Sequence, residues 1–122
     1  MKPIKIDLEE LVHRIGWTEK HADYLLITQN TIVIVEETSR AKTDDIKKLN
    51  KIVEALIHGP LKDHLPIHCN PSKIIAIVHV QRRVDPMISK IIGSRTRKSI
   101  VYRTAKCRQD LGIILHEHKV QL

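Results

Sequence analysis

Two compact apolar runs dominate the polar and apolar pattern of this chain. Asp23-Tyr-Leu-Leu-Ile-Thr28 and Thr31-Ile-Val-Ile-Val-Glu-Glu-Thr38 are separated by Gln29-Asn30. Short β-branched runs on either side of a polar dipeptide predict two strands joined by a tight hairpin turn. Lys73 to Val80 is a similar run and predicts a buried strand. Ser99 to Thr104 predicts another, and Gly112 to Leu115 a last one. Elsewhere the period is helical. Leu8, Leu11, Val12 and Ile15 form a stripe behind Asp7, which can cap a helix over Asp7 to Ile15, and Gly16 stops it. Ile46, Leu49, Ile52, Val53, Leu56 and Ile57 form a second stripe, predicting a helix from Asp44 to about His58. Thr43 can cap it and Gly59-Pro60 ends it. Asp85-Pro86 starts a short helix through Ile92, with proline at its first position. Pro60, Pro66 and Pro71 make Leu61 to Ser72 mostly loop, with room for one helical turn. Ser39 to Lys42 read as the exit from the second strand, Gly93 to Lys98 as a basic loop, and Cys107 to Leu111 as a turn or short helix.

A helix crossing from a hairpin strand to Lys73–Val80 makes those two strands parallel. The expected fold class is therefore α/β, a mixed central β-sheet flanked by helices. With 122 residues the chain reads as one domain, 1–122. Its core must be aliphatic, because 42% of residues are apolar while Phe is absent and aromatics are 2%. Abundant Ile, Val and Leu with many Lys and Glu is compatible with a thermophile. No run approaches the roughly 20 apolar residues of a membrane span. The opening MKPIKIDLEELV lacks the apolar core of a signal peptide. The expectation is a soluble, cytoplasmic protein with no membrane partner. Cys69 and Cys107, the two cysteines, then read as reduced buried thiols.

The net charge of +7 and a pI of about 9.6 change the picture toward polyanions. The bases gather late in the chain, at Arg82, Arg83, Lys90, Arg95, Arg97, Lys98, Arg103, Lys106 and Arg108, while the acids gather in the first half. A solvated basic face is the plain reading; phosphate-backbone binding is the functional one, since such contacts need no sequence readout. Few aromatics are present to stack on unpaired bases, which favours duplex or branched DNA over single strands.

The candidate chemistry sits at the hairpin. Antiparallel pairing places Asp23 near the level of residues 36 to 38. Carboxylates gathered at one sheet end are costly unless a cation neutralises them. The pattern suggests a divalent-metal site drawn from Asp23, Glu36 and Glu37, and in a basic protein this suggests phosphodiester chemistry. Alternation puts Glu36 on the face of Ile34 and Glu37 on that of Val35, so one of them joins Asp23 directly. Glu36 is the choice, because its face also carries Thr38. The competing reading is an ordinary charged strand start and a solvated strand end. His64, His68, Cys69, His116 and His118 offer no tight four-ligand zinc set.

Asp23, then twelve residues, then Glu36-Glu37-Thr38 resembles the signature of the PD-(D/E)XK nuclease superfamily, whose fold is restriction-endonuclease-like. Its small archaeal branch includes Holliday-junction resolvases. In that pattern an Asp opens one strand and a Glu-x-Lys closes the next after an apolar run such as Ile32 to Val35. A helix follows, and a glutamate often sits on the helix before the hairpin, here Glu9 or Glu10, with Glu10 chosen. The resemblance covers roughly residues 7 to 80. It implies a metal-dependent DNA endonuclease with Mg²⁺ or Mn²⁺ held by Asp23 and Glu36. It also implies a dimer, for which the edges near Ser99–Thr104 or Gly112–Leu115 offer a contact. The usual first strand would lie near Ile4–Ile6. The chain departs from the pattern at Thr38, where lysine is expected. Lys42 or Arg40 is then the base that reaches back to assist catalysis, and Arg40 joins the expected phosphate contacts. The alternative is an inactive nucleic-acid-binding module or accessory subunit with the same fold.

Overall fold

The structure is a computed structural model. It describes residues 3–17, 21–28, 30–59, 61–65, 72–84, 86–95, 99–118 and 120. In chain order the elements are β1 (Ile4–Asp7), α1 (Leu8–Arg14), β2 (Tyr24–Ile27), β3 (Thr31–Ala41), α2 (Thr43–His58), a 3₁₀ turn (Leu61–His64), β4 (Lys73–Val84), α3 (Pro86–Arg95), β5 (Ile100–Ala105) and α4 (Arg108–Glu117). They form one five-stranded mixed sheet, ordered β1-β2-β3-β4-β5, flanked by helices. β1 pairs with β2 and β2 with β3 in antiparallel fashion, whereas β3 with β4 and β4 with β5 are parallel. The expected α/β class and the parallel crossover through α2 are therefore present. Among the described residues no helix is long and apolar enough to cross a membrane.

β3 is central and buried on both faces. Ile32 and Ile34 join Leu25, Ile27, Ala76 and the stripes of α1 and α2 in a first core. Val33 and Val35 join Leu26, Ile75, Ile77 and the inner face of α4 in a second. Each parallel strand is followed by a helix, so α1, α2, α3 and α4 all start at the end of the sheet where β1, β3, β4 and β5 finish. That end is the usual location of sites in open α/β sheets.

Local chemistry explains the boundaries. Asp7 caps α1 through its carboxylate, which accepts from the Glu9 and Glu10 N–H groups. Gly16 follows the helix at φ +73°, a conformation glycine adopts without strain. α2 begins one residue earlier than expected, with Lys42 rather than Thr43 at the cap, because Asp45 Oδ2 reaches back to accept the Lys42 N–H at 2.8 Å.

Four expectations are corrected. The hairpin's second strand does not end at Thr38 but runs to Ala41, since β4 continues beside it to Val84. α3 extends to Arg95, so Gly93 and Ser94 are helical. Gly112–Leu115 is not a strand: it is the middle of α4 and offers no sheet edge for a dimer, the edges being β1 and β5. Leu111, Ile114 and Leu115 lie at helical spacing and are buried in the second core, and that spacing decides the element. The expected turn or short helix at Cys107 to Leu111 is the start of this helix. Cys107 Sγ accepts from the Asp110 N–H, and Asp110 Oδ2 accepts from the Lys106 N–H at 3.1 Å. Cys107 is consequently a free, exposed thiol and not a buried one. The turn residue Gln29, Cys69, and the loop residues 66–71 lie outside the described residues.

The helical assignment of 108–117 is testable. In a strand, Ile113 and Leu115 would share a face; here Leu115 is 1% exposed and Ile113 is 52% exposed. Leu115→Ala is expected to cost about 2–5 kcal/mol in denaturant unfolding. Ile113→Ala should cost less than about 0.5 kcal/mol.

Candidate functional site

The site is built from Glu36, which ends the continuous buried run Thr31–Glu36 of β3, and Asp23, the residue before β2. Tyr24 pairs with Val35, and the Asp23 N–H donates to the Val35 carbonyl at 3.0 Å. One step further along the ladder, Asp23 lies opposite Glu36. Cross-strand partners share a face, and this is the face of Leu25, Ile27, Ile32 and Ile34, covered by α2. Asp23 is fixed there by its own carboxylate, whose Oδ2 accepts the Glu37 N–H at 2.6 Å.

Glu36 is 4% exposed, an unusual position for a carboxylate. Its Oε1 accepts from Lys48 Nζ at 3.3 Å. Its Oε2 is buried and has no hydrogen-bond partner among the described residues. Burial first, and the Asp23 charge second, push the Glu36 carboxyl up to about 7, against the opposing pull of Lys48. Asp45 adds to the upward push. Asp45 is itself buried, with Oδ2 on the Lys42 N–H and Oδ1 4.0 Å from Lys48 Nζ. Lys48 is partly desolvated, which alone would lower its pKa. Glu36, Asp45 and Asp44 outweigh that and raise it, so its ammonium stays charged.

Glu36 and Asp45 thus flank one ammonium, and Asp23 lies beside Glu36. The sequence points to Asp23 and Glu36 as candidates, but not to Asp45 or Lys48. Lys42, the expected helper, is exposed at the α2 cap, and it is Lys48 that contacts Glu36. The reason is helix phase. Asp45, Leu49, Ile52 and Leu56 lie on one buried stripe, which makes Asp45 inward-facing and puts Lys48 on the same flank one turn later. That stripe was the signal that could have revealed both.

The remaining predicted residues fall elsewhere. Glu37 stands on the other face, half exposed, with Oε2 4.0 Å from His79 Nδ1. A cavity of about 440 Å³ on this side is lined by Lys5, Asp7, Glu9, His21, Asp23, Tyr24 and Glu37. Glu9 lines it and its Oε2 lies 3.0 Å from His21 Nε2, whereas Glu10 is exposed and is not part of the lining. Among the described residues no group of three or more His, Cys, Asp or Glu side chains is arranged to hold a metal ion, so Asp23, Glu36 and Glu37 do not form a three-carboxylate cage. Arg40, Arg82 and Lys90 are exposed. Arg103 is half-buried and paired with Glu117 at 3.1 Å. Arg83 and Arg95 belong to β4 and α3. Arg97 and Lys98 lie outside the described residues.

No protein-family model, curated protein or solved structure matches this chain.

Glu36 itself supplies a test. Below about pH 4.5 its carboxyl is protonated in both folded and unfolded chains and leaves stability unchanged. Between about 4.5 and about 7 the native state holds a proton that the unfolded chain releases, so stability falls as pH rises. Above about 7 the full penalty, on the order of 3 kcal/mol, is present. Glu36→Gln is expected to stabilise the metal-free protein by about 1–3 kcal/mol at pH 8 and to give little gain at pH 5. Thermal unfolding at the two pH values measures the difference.

Proposed function

We propose that the protein is a metal-dependent nuclease acting on DNA, with Asp23 and Glu36 as metal-holding carboxylates and Lys48 as the assisting lysine. The observation that carries this reading is the buried, unpartnered Oε2 of Glu36 beside Asp23. A carboxylate in that state is held near neutrality by its surroundings, and a divalent cation relieves it more directly than any neighbouring side chain. Two carboxylates suffice for Mg²⁺, which keeps several waters and takes further ligands from substrate phosphate. The donor set is all oxygen, which suits Mg²⁺ or Mn²⁺. The arrangement also supports the PD-(D/E)XK resemblance and its restriction-endonuclease-like fold. Asp23 opens β2, Glu36 closes the buried part of β3, α2 follows, and Glu9 on α1 lies near Asp23.

Bound Mg²⁺ or Mn²⁺ supplies positive charge to phosphate oxygens and acidifies water. The chain's own residues do the rest. Asp23 is held by the Glu37 N–H through one oxygen, leaving the other for the ion. Glu36 keeps Oε2 for the ion while Oε1 stays on Lys48. Lys48 is positioned by Glu36 and Asp45, and its raised pKa keeps it an ammonium. It therefore acts by offsetting charge that develops on the phosphate, not by removing a proton. Lys48 supplies the function that Thr38 lacks, from the helix instead of the strand. A protein with this fold that binds nucleic acid without cutting it is the other outcome of the tests below.

Mg²⁺ at pH 8 is expected to raise the thermal midpoint of the wild-type protein and not that of Glu36→Gln; equal shifts in both proteins would exclude Glu36 as a ligand. On duplex or branched DNA with Mg²⁺ or Mn²⁺, Glu36→Gln should abolish cleavage. Lys48→Ala should lower turnover by about 10²–10³ with binding little changed, because its charge acts mainly in the transition state. Lys42→Ala should retain turnover. A Lys48→Ala enzyme as fast as wild type would remove the assignment of that residue.

A further inference from the structure

β3 and β4 outrun the rest of the sheet. β2 begins at Tyr24, opposite Val35, and β5 ends at Ala105, opposite His79. Beyond those rows, Glu37–Ala41 and Val80–Val84 are paired only with each other, as a two-stranded extension about 16 Å long. It begins immediately after Glu36 and leads away from the site. Ala41 and Val80 are both 1% exposed and lie in the first core with Ile88 of α3, so the extension is anchored.

The ladder slips within this extension. Thr38 faces Val80 but Arg40 faces Arg83, so Gln81 and Arg82 together lie opposite Ser39. An extra residue in one strand breaks the alternation of side chains. The result is visible in exposure: Gln81 and Arg82 are consecutive and both exposed, and Arg40 across the slip is exposed as well. The Thr38 hydroxyl donates to the Arg40 carbonyl at 3.1 Å and braces the strand there. Slips of this kind next to sites re-aim side chains. Here the re-aimed group is a guanidinium, beside a second one, on an element that has no catalytic group of its own.

We infer that the β3–β4 extension is a phosphate-gripping arm, and that Arg40 and Arg82 hold the backbone of duplex DNA to one side of the cleaved phosphate. The inference rests on the nuclease reading and adds a direction to it. Arg40 lies four residues beyond Glu36, about 13 Å along the strand. With 3.4 Å per base pair along a duplex, the gripped phosphates lie about four base pairs from the scissile one. The cavity next to the site carries four carboxylates, Asp7, Glu9, Asp23 and Glu37, against Lys5 and His21, a net negative wall that disfavours a polyanion. DNA is thus held from the arm side.

The test is binding of a 5′-labelled duplex of about 20 base pairs, by fluorescence anisotropy, without divalent metal and across a salt series. Arg40→Ala with Arg82→Ala should reduce the slope of log affinity against log salt by about 1.8 and weaken binding on the order of tenfold to a hundredfold at ~0.1 M salt. Arg40→Lys with Arg82→Lys should restore the slope. Arg14→Ala with Lys62→Ala, exposed cations away from the extension, should leave it unchanged. Unaltered thermal midpoints confirm that the variants fold. With Mg²⁺ present, duplexes trimmed to fewer than about four base pairs on one side of the cut should make the wild type cleave like the arm variant. If the wild type binds and cuts DNA but the Arg40/Arg82 variant keeps the wild-type slope, the arm is overturned and the nuclease reading stands. If the wild type neither binds DNA nor responds to Mg²⁺, both fall together.

Discussion

Burial of β3 on both faces is the constraint from which the site follows. Its residues Thr31 to Glu36 are all buried, because α1 and α2 cover one side and α4 the other. A carboxylate at the end of such a run is carried into the interior by the strand. Glu36 follows Val35 and Ile34, both fully buried in the two cores, and is itself 4% exposed. The cost of keeping it there is met in part by Lys48, and α2 must start where it does for Lys48 to reach. The Asp45 contact with the Lys42 N–H fixes that start. Strand burial, helix onset and lysine position are thus one linked arrangement.

The electrostatics of this arrangement leave a surplus of negative charge. Glu36 and Asp45 share the Lys48 ammonium, and Asp23 adds its charge beside Glu36; Asp23 and Asp45 are also held by backbone N–H groups, Glu36 by none among the described residues. Glu36 is a buried acid that its neighbours do not fully satisfy, and its raised pKa expresses the same imbalance. Glu37 shows the contrast. One residue later and on the other face, it is half exposed and near His79, and water can do for it what nothing does for Glu36.

The same sheet end also gathers the starts of the four helices among the described residues, so the positive ends of their dipoles lie there. The slip in the β3–β4 ladder adds two guanidinium groups beside it. Acidic residues lie on the β1–β2 side and exposed arginines on the β3–β4 side. That division makes one flank of the carboxylate pair acidic and the other basic.

Much of this was legible in the sequence. Strands β2, β3 and β4, helices α1 and α2, the parallel crossover and the meeting of Asp23 with Glu36 follow from local periodicity and hairpin pairing, which act over a few residues. The sequence also excluded an aromatic core and pointed to a basic surface. What it left undecided depends on contacts across the fold. Only the start of α4 was legible, as a turn or short helix from Cys107; its apolar spacing is short, so the second core decides helix over strand at Gly112–Leu115. The length of β3 depends on β4 continuing beside it, a partner more than thirty residues away. Lys48 could be assigned to Glu36 only once the rotation of α2 against the sheet was set, since twelve residues of chain separate them. Side-chain chemistry is written locally, but which charge meets which is settled by packing, and packing is a property of the whole sheet and its helices.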